Sequence, residues 1–238
     1  MISVGFVPSE WLNAIIIPVF KKEVSGKPSR PISLTCVLSK IVERILSRRI
    51  FAHLQFNDIL HSSQHGFCRN RSTTTNLLES LNDLTLTILS KDQHTVVYVD
   101  FSKAFDVVSH PKLFTRLHNY GVRGAFLSWL TNFFTGRTHQ TKIDFTLSDI
   151  ALLYSGVIQG SGIGSLMFLV YINELIYVLE EHGITVNPST GSLILLHQRE
   201  AGVKLTPQIL CCILLVLSGV LNANQLISLR TGASSITG

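Results

Sequence analysis

The run His94–Asp100, HTVVYVD, is short, apolar and β-branched, and it reaches an acid only at its last residue. That is the composition of a buried strand, because a solvated strand alternates apolar with polar residues. Such a strand needs a sheet around it and helices packed on the sheet. Asp100 then stands where the strand leaves the core. By spacing alone an acid at a strand end is an ordinary cap or turn residue. The continuation Phe101-Ser102-Lys103-Ala104-Phe105-Asp106 adds an aromatic shortly beyond it, and this makes Asp100 a candidate catalytic group at a cleft.

Regular elements can be read on either side. Residues 11–20, WLNAIIIPVF, read as a strand that runs into Lys21-Lys22 and a Gly26-Lys27-Pro28 turn. From Thr35 to Leu54 the pattern fits an amphipathic helix, with Leu38, Ile41 and Ile45 on the packed face and Lys40, Arg44 and Arg48 turned away. A second helix, capped by Ser72 or Thr73 and ending near Ser90, spaces Leu77, Leu81, Leu84 and Ile88 as core. Ser109-His110-Pro111 opens a third, since proline in the first turn loses no helical hydrogen bond, and Gly121 supplies its left-handed stop. Ala125–Thr135 is a further helix closed by Gly136, His139–Tyr154 is one hairpin, and the glycine-rich stretch Gly156–Gly164 leads into a helix over Leu166–His182. From about Asn187 the composition changes. Only Arg199, Glu200, Lys204 and Arg230 are charged there, and Pro188, Gly191, Gly202 and Pro207 break any period. Residues 187–238 are therefore set apart as an atypical apolar tail, expected to be disordered or loosely packed.

Composition bounds the partners. An apolar content of 46% can build a core, and 20 Lys+Arg against 15 Asp+Glu give a net charge of +5. That balance suits an acidic polymer and equally suits a mildly basic globular surface. Cys36, Cys68, Cys211 and Cys212 lack CxxC spacing, which argues against zinc and against a disulfide framework and points to a reducing compartment. No basic region leads into an apolar segment at the N-terminus, so the expected location is intracellular, cytoplasm or nucleus, and the Asn70-Arg71-Ser72 sequon reads as chance. The longest apolar run, Ile209–Leu221, is shorter than the roughly 20 residues of a membrane span. A dinucleotide fingerprint is also unsupported, because Ser165 stands where the third glycine of a register starting at Gly160 would fall.

Five blocks in order carry a resemblance. IIIPVFKK, RPISLTCVLSKIVERIL, QHGFCRNRST, VVYVDFSKAFDVVSH and SGVIQGSGIGSLMFLVYINEL resemble the reverse transcriptases of non-LTR retrotransposons over about residues 11–186. The resemblance implies an α+β fold: partial fingers and a truncated palm of a right-hand polymerase, with an antiparallel sheet packed on helices. Its divisions would be 1–95 for partial fingers with the start of the palm, 96–186 for the palm, and 187–238 outside the family pattern. It implies RNA template, DNA primer and deoxynucleoside triphosphates as partners, with Mg²⁺ as cofactor. Asp100 matches the family's metal-binding aspartate, and the carbonyl of Phe101 completes a metal shell, since hard Mg²⁺ takes oxygen ligands. Phe105 matches the ring beneath the incoming sugar that rejects a ribose 2′-hydroxyl. Lys22 and Arg30 match the residues that hold the triphosphate, tasks for a point charge and a forked guanidinium. Gln159-Gly160 matches the loop under the templating base pair, with Ile158 and Ser165 where the family usually has proline. Gln64, Arg69 and Arg71 lie in a basic stretch suited to template phosphates, although a plain capping loop has the same composition.

One family feature is missing. An aromatic-Ala-Asp-Asp hairpin should follow the helix after the glycine loop and supply the second acidic contribution to the metal pair. After Asp149 there is no aspartate, and the remaining acids are Glu174, Glu180, Glu181 and Glu200. The sequence thus reads as lacking that hairpin, along with the family's thumb and any endonuclease. A polymerase domain without catalytic activity is expected, and a nucleic-acid-binding remnant is the alternative.

Overall fold

The computed structural model describes residues 2–20, 28–90, 93–101, 104–181, 184–188, 192–199 and 234–236. The chain forms two compact units, Met1–Ile59 with Phe105–Tyr171, and Leu60–Ala104 with Ile172–Gly238. These interleave along the sequence, whereas boundaries at 95 and 186 would divide it in linear order.

In the first unit a 3-10 turn (Ile2–Val4) and a short helix α1 (Ser9–Leu12) lead into strand β1 (Asn13–Phe20). Its β-branched residues pair antiparallel with β2 (Pro28–Leu34), from Ile15↔Leu34 to Phe20↔Pro28. On its other edge β1 pairs in parallel with β4 (Thr138–Ile143), from Asn13↔Thr138 to Ile16↔Thr141. The hairpin expected over 139–154 is present but divided: β4 turns back through β5 (Thr146–Leu147), and its start also pairs with β6 (Ala151–Leu152). Helices α4 (His110–Asn119) and α5 (Gly124–Phe134) pack together. Leu113, Leu117, Trp129, Leu130, Phe133 and Phe134 are fully buried. Trp129 stacks on Phe133 at 5.1 Å, a geometry that adds to the area removed from water.

Helix α2 (Val37–Phe56) forms where expected but turns differently. Its buried residues are Ser39, Glu43, Leu46, Ile50 and Leu54, while Leu38, Ile41 and Ile45 are exposed. The face assigned to packing from the spacing is therefore corrected. Periodicity reveals a stripe, but the partner decides which stripe is covered, and here a buried carboxylate at Glu43 selects it.

The second unit holds α3 (Thr73–Ser90), β3 (Gln93–Asp100), β7 (Ile184–Pro188), β8 (Ser192–Arg199) and β9 (Ser234–Ile236). Ser72 and Thr75 cap α3 reciprocally, with Thr75 N–H donating to Ser72 Oγ at 3.2 Å and Ser72 N–H donating to Thr75 Oγ1 at 2.9 Å. The leucine stripe of α3 is again not the covered side. Asn76 and Ser80 are buried, whereas Leu77, Leu81 and Ile88 are exposed. Asn76 Nδ2 donates to the carbonyl of Pro188 at 3.0 Å, which satisfies the β7 end and fixes the polar face inward. All pairings in this sheet, ordered β7-β8-β3-β9, are antiparallel. Helix α6 (Gly164–Glu181) begins in the first unit and ends in the second.

The expectation of a loose segment after residue 186 is corrected for 192–199. Strand β8 pairs with β3 at eight positions, from Gln93↔Arg199 to Asp100↔Ser192, and with β7 from Ile184↔His197 to Pro188↔Leu193. A hairpin does follow the helix after the glycine loop. Its strands are present, and what it lacks is acids.

Candidate active site

Asp100 is the last paired residue of β3, and its cross-strand neighbour is Ser192. Neighbouring strands lie about 4.8 Å apart, so whatever β8 carries at this end is beside Asp100. Just beyond, Pro188↔Leu193 is the last pair of the β7–β8 hairpin. The residues that join its strands in the chain are Ser189, Thr190 and Gly191. In sequence, the segment 184–199 that forms the two strands and their connection contains no Asp or Glu. Phe101, the next residue, is half-buried.

In the first unit, Phe105 is brought onto the glycine loop. Its carbonyl accepts the Val157 N–H at 2.7 Å, and its ring lies 4.8 Å from that of Phe168. Asp106 is tied to the same loop. Gln159 Nε2 donates to Asp106 Oδ1 at 3.0 Å, and Ser155 Oγ donates to the Asp106 carbonyl at 3.0 Å. The loop is held from beneath as well: Ser33 N–H of β2 donates to the Gln159 carbonyl at 3.1 Å, and Gly162 N–H donates to Glu43 Oε2 at 2.7 Å. Glu43 also accepts from Ser39 Oγ at 2.7 Å, so a fully buried carboxylate is satisfied by one hydroxyl and one amide. Gly160 has φ +98°, a conformation that glycine adopts without strain. A cavity of about 390 Å³ opens between β1, β4 and this loop, lined among others by Ser33, Asp106, Arg137, Tyr154 and Gln159. Arg137 is fully buried and donates to the carbonyls of Phe133 and Trp11 at 3.0 and 2.9 Å. Burial pulls its pKa down to about 10, against the opposing charge of Glu43, and it stays cationic at neutral pH.

His110 fastens the other side of the loop. Its Nε2 lies 2.8 Å from the Gly156 carbonyl, which only accepts, so Nε2 carries the proton of the neutral ring. Burial pushes the imidazole below the usual histidine range, opposed by that hydrogen bond and reinforced by the Arg137 charge. Below about pH 6.5 the unfolded chain then takes up a proton that the folded one resists. This group leaves stability unchanged above that pH and lowers it as pH falls toward the depressed native value. The thermal midpoint should drop between about pH 7.5 and 5.5, with a smaller slope in His110→Phe. Equal slopes in the two proteins would remove His110 as a cause.

In the second unit the 60–72 loop is fastened by histidines. The His61 N–H is bonded to Asn173 Oδ1 at 3.0 Å, and its ring bridges Ser63 Oγ at 2.7 Å and Glu180 Oε2 at 2.9 Å. His65 is held between Thr75 Oγ1, at 2.8 Å, and the Glu79 carboxylate. Arg71 Nη1 donates to the carbonyls of Ser62 and Gln64, so its guanidinium closes the loop. Gln64 is only 2% exposed and donates to Gly66 O at 3.1 Å, which removes its side chain from the surface. Arg69 is exposed.

The sequence profile described as reverse transcriptase (RNA-dependent DNA polymerase) matches residues 20–189, more than half of the chain. The chain belongs to the reverse transcriptase family. Among its relatives are the probable RNA-directed DNA polymerase from transposon BS of Drosophila melanogaster, 30% identical over 188 residues, covering 74% of this chain and 20% of that protein. The RNA-directed DNA polymerase from mobile element jockey of the same species is 27% identical over 74% of this chain and 19% of its own length. The Pol polyprotein from the type-1 retrotransposable element R2 of Popillia japonica is 24% identical over 97% of this chain and 34% of its own length. This reverse transcriptase chain thus spans about a fifth to a third of these relatives. Apo telomerase from Candida tropicalis has the same fold, with a TM-score of 0.60 at 12% identity, covering 98% of this chain and 51% of that one. The non-LTR resemblance read from the five blocks holds, and so does an α+β fold of mixed sheet and helices.

Reverse transcriptase membership implies Mg²⁺-dependent polymerisation. Hard dications want several anionic oxygens, and the register sets a serine across from Asp100. Among the described residues no three His, Cys, Asp or Glu side chains converge on one point. No described helix is long and apolar enough to cross a membrane. Of the expected substrate contacts, Lys22 lies outside the described residues. Arg30 pairs through its backbone with Val19, and its side chain lies outside the described residues. The structure brings Phe105, Gln159 and Gly160 together. It adds Glu43, Asp106 and Ser33, which spacing alone did not single out. A legible signal for Glu43 was Ser39 four residues before it, on the face that carries no large apolar residue until Leu46.

Proposed function

We propose that this chain is the fingers and palm region of a retrotransposon reverse transcriptase that retains the family's nucleic-acid surface and does not polymerise. The observation that supports the second half is the Asp100↔Ser192 register, with Ser-Thr-Gly joining the adjacent hairpin. A single carboxylate leaves two dications with too few anionic ligands to activate a primer hydroxyl and neutralise a triphosphate. In this reading Asp100 and the Phe101 carbonyl stand at the family's metal position, and Phe105 lies under the sugar. Gln159 and Gly160 face the templating pair, Lys22 and Arg30 meet the triphosphate, and Arg69 meets template phosphate. Arg71 and the buried Gln64 hold the loop that carries Arg69. RNA template and DNA primer are the partners. Primer extension on a homopolymer template with Mg²⁺ should give no product from the wild-type chain or from Asp100→Ala. Extension by the wild type that Asp100→Ala abolishes would overturn the reading. Nucleic-acid affinity should fall as salt rises, through release of condensed cations.

A further inference from the structure

Helix α2 carries apolar residues on two opposite sides. One side holds Leu46, Ile50 and Leu54 with Ser39 and Glu43, and it is buried. Leu38, Ile41 and Ile45 stand on the other, 64%, 50% and 54% exposed, at spacings of three and then four residues. A stripe confined to that alternation is the narrow seam along which one helix docks lengthwise on another, whereas packing onto a broad core needs a wider apolar arc. The seam runs for about two turns, because Arg48 takes its next position.

Cations border it. In a heptad register led by Leu38, Arg44 and Arg49 fall at the positions immediately flanking the seam, where a partner helix brings its own flanking residues. Both are exposed, as is Arg48. The one acid in α2 is Glu43, which is buried and accepts from Ser39 Oγ and the Gly162 N–H. Among the described residues no carboxylate pairs with Arg44, Arg48 or Arg49.

Charge and shape together select the occupant. A second copy of α2 laid along the seam would set arginine against arginine, which opposes self-pairing. A nucleic-acid backbone would answer the arginines, but it would set Leu38, Ile41 and Ile45 against an anionic, strongly hydrated surface. A helix with its own apolar seam and acids beside it satisfies both.

We propose that the face of α2 formed by Leu38, Ile41 and Ile45 is a docking seam for an acidic amphipathic helix of a protein partner, with Arg44 and Arg49 pairing with its flanking carboxylates. This does not rest on the nucleic-acid reading above. The test is fluorescence anisotropy on the full chain with two labelled synthetic helices of about three heptads, identical at their apolar positions and carrying either Glu or Lys at every flanking position. The glutamate helix should bind, and the lysine helix should bind about ten-fold more weakly or less. Ile41→Ser should weaken the glutamate helix about ten-fold or more, as loss of a central apolar anchor does. Because Ile41 is exposed, that variant should keep the wild-type circular dichroism and thermal midpoint. Arg44→Glu with Arg49→Glu should reverse the preference toward the lysine helix. Equal affinity for the two helices, unchanged affinity in Ile41→Ser, or no binding of the glutamate helix by the wild type would overturn the proposal and leave the nucleic-acid reading untouched. An equal loss of oligonucleotide binding in Ile41→Ser would assign the face to nucleic acid and overturn it as well.

Discussion

Gly156→Ala should lower stability by about 3 kcal/mol or more, a large part of what a domain of this size has. Two effects add. The residue has φ +89°, where an alanine side chain is strained. A Cβ there would also stand 2.7 Å from the Asp106 carbonyl oxygen and 2.9 Å from the Asp106 Cα and carbonyl carbon. None of these is the end of a flexible side chain. They are backbone, and that backbone is pinned, because Gly156 N–H donates to Val108 O at 2.8 Å and Gly156 O receives His110 Nε2 at 2.8 Å. Relief of the overlap requires breaking one of those bonds or moving Asp106, which would carry off the hydrogen bonds that Ser155 and Gln159 make to it.

Gly136→Ala supplies the control. Its φ is +67°, but nothing lies within 4 Å of the added carbon, so only the conformational cost of about 1 kcal/mol remains. Urea unfolding followed by circular dichroism should separate the two variants by about 2 kcal/mol. Equal midpoints would mean that the Asp106 backbone yields, and that the loop is less firmly fixed than its hydrogen bonds imply.

The elements of this chain are legible where composition and breakers agree. Asn13–Phe20, Val37–Phe56, Gln93–Asp100 and His110–Asn119 lie within a few residues of their expected spans, because β-branched runs, amphipathic spacing and Pro111 act locally. Orientation is a different matter. Leu38, Ile41 and Ile45 make as good an apolar stripe as any, yet α2 buries the stripe through Glu43, whose partner Gly162 is 119 residues away. Helix α3 likewise faces inward through Asn76, bonded to Pro188 at a separation of 112. A polar contact of that range leaves no periodic trace in the sequence. The β7–β8 hairpin escaped for another reason. SLILLHQR has the composition of a strand, but the missing aspartates and the breakers Pro188 and Gly191 mark its start as irregular. The alternating pairs that make the hairpin do not depend on acids, and residues 184–199 form it without an Asp or Glu among them.

That separation yields the other large effect. The double substitution Ser189→Asp with Thr190→Asp should raise divalent-cation affinity well above that of the wild-type chain. Ser189 follows Pro188, the last paired residue of β7, and Thr190 is two residues from Ser192, the neighbour of Asp100. Successive Cα atoms are about 3.8 Å apart, so chain connectivity alone keeps the Cα atoms of both positions within about two such steps of Pro188 and Ser192. At an effective dielectric of about 20, each carboxylate near 4 Å from a dication contributes several kcal/mol of attraction before desolvation. A net gain on the order of 100-fold in Mn²⁺ affinity is the expected result, measured by the loss of free-ion signal in electron paramagnetic resonance. The gain must depend on Asp100. Adding Asp100→Asn to the double variant should return the affinity to the wild-type level, because the remaining pair would act as an ordinary exposed acidic turn. If the double variant bound Mn²⁺ equally well with and without Asp100→Asn, the new acids would be acting alone. The idea that this hairpin is a metal site lacking only its carboxylates would then fail. If the gain appears and requires Asp100, the absence of primer extension expected of the wild-type chain is a matter of side chains at two positions beside the Asp100↔Ser192 pair.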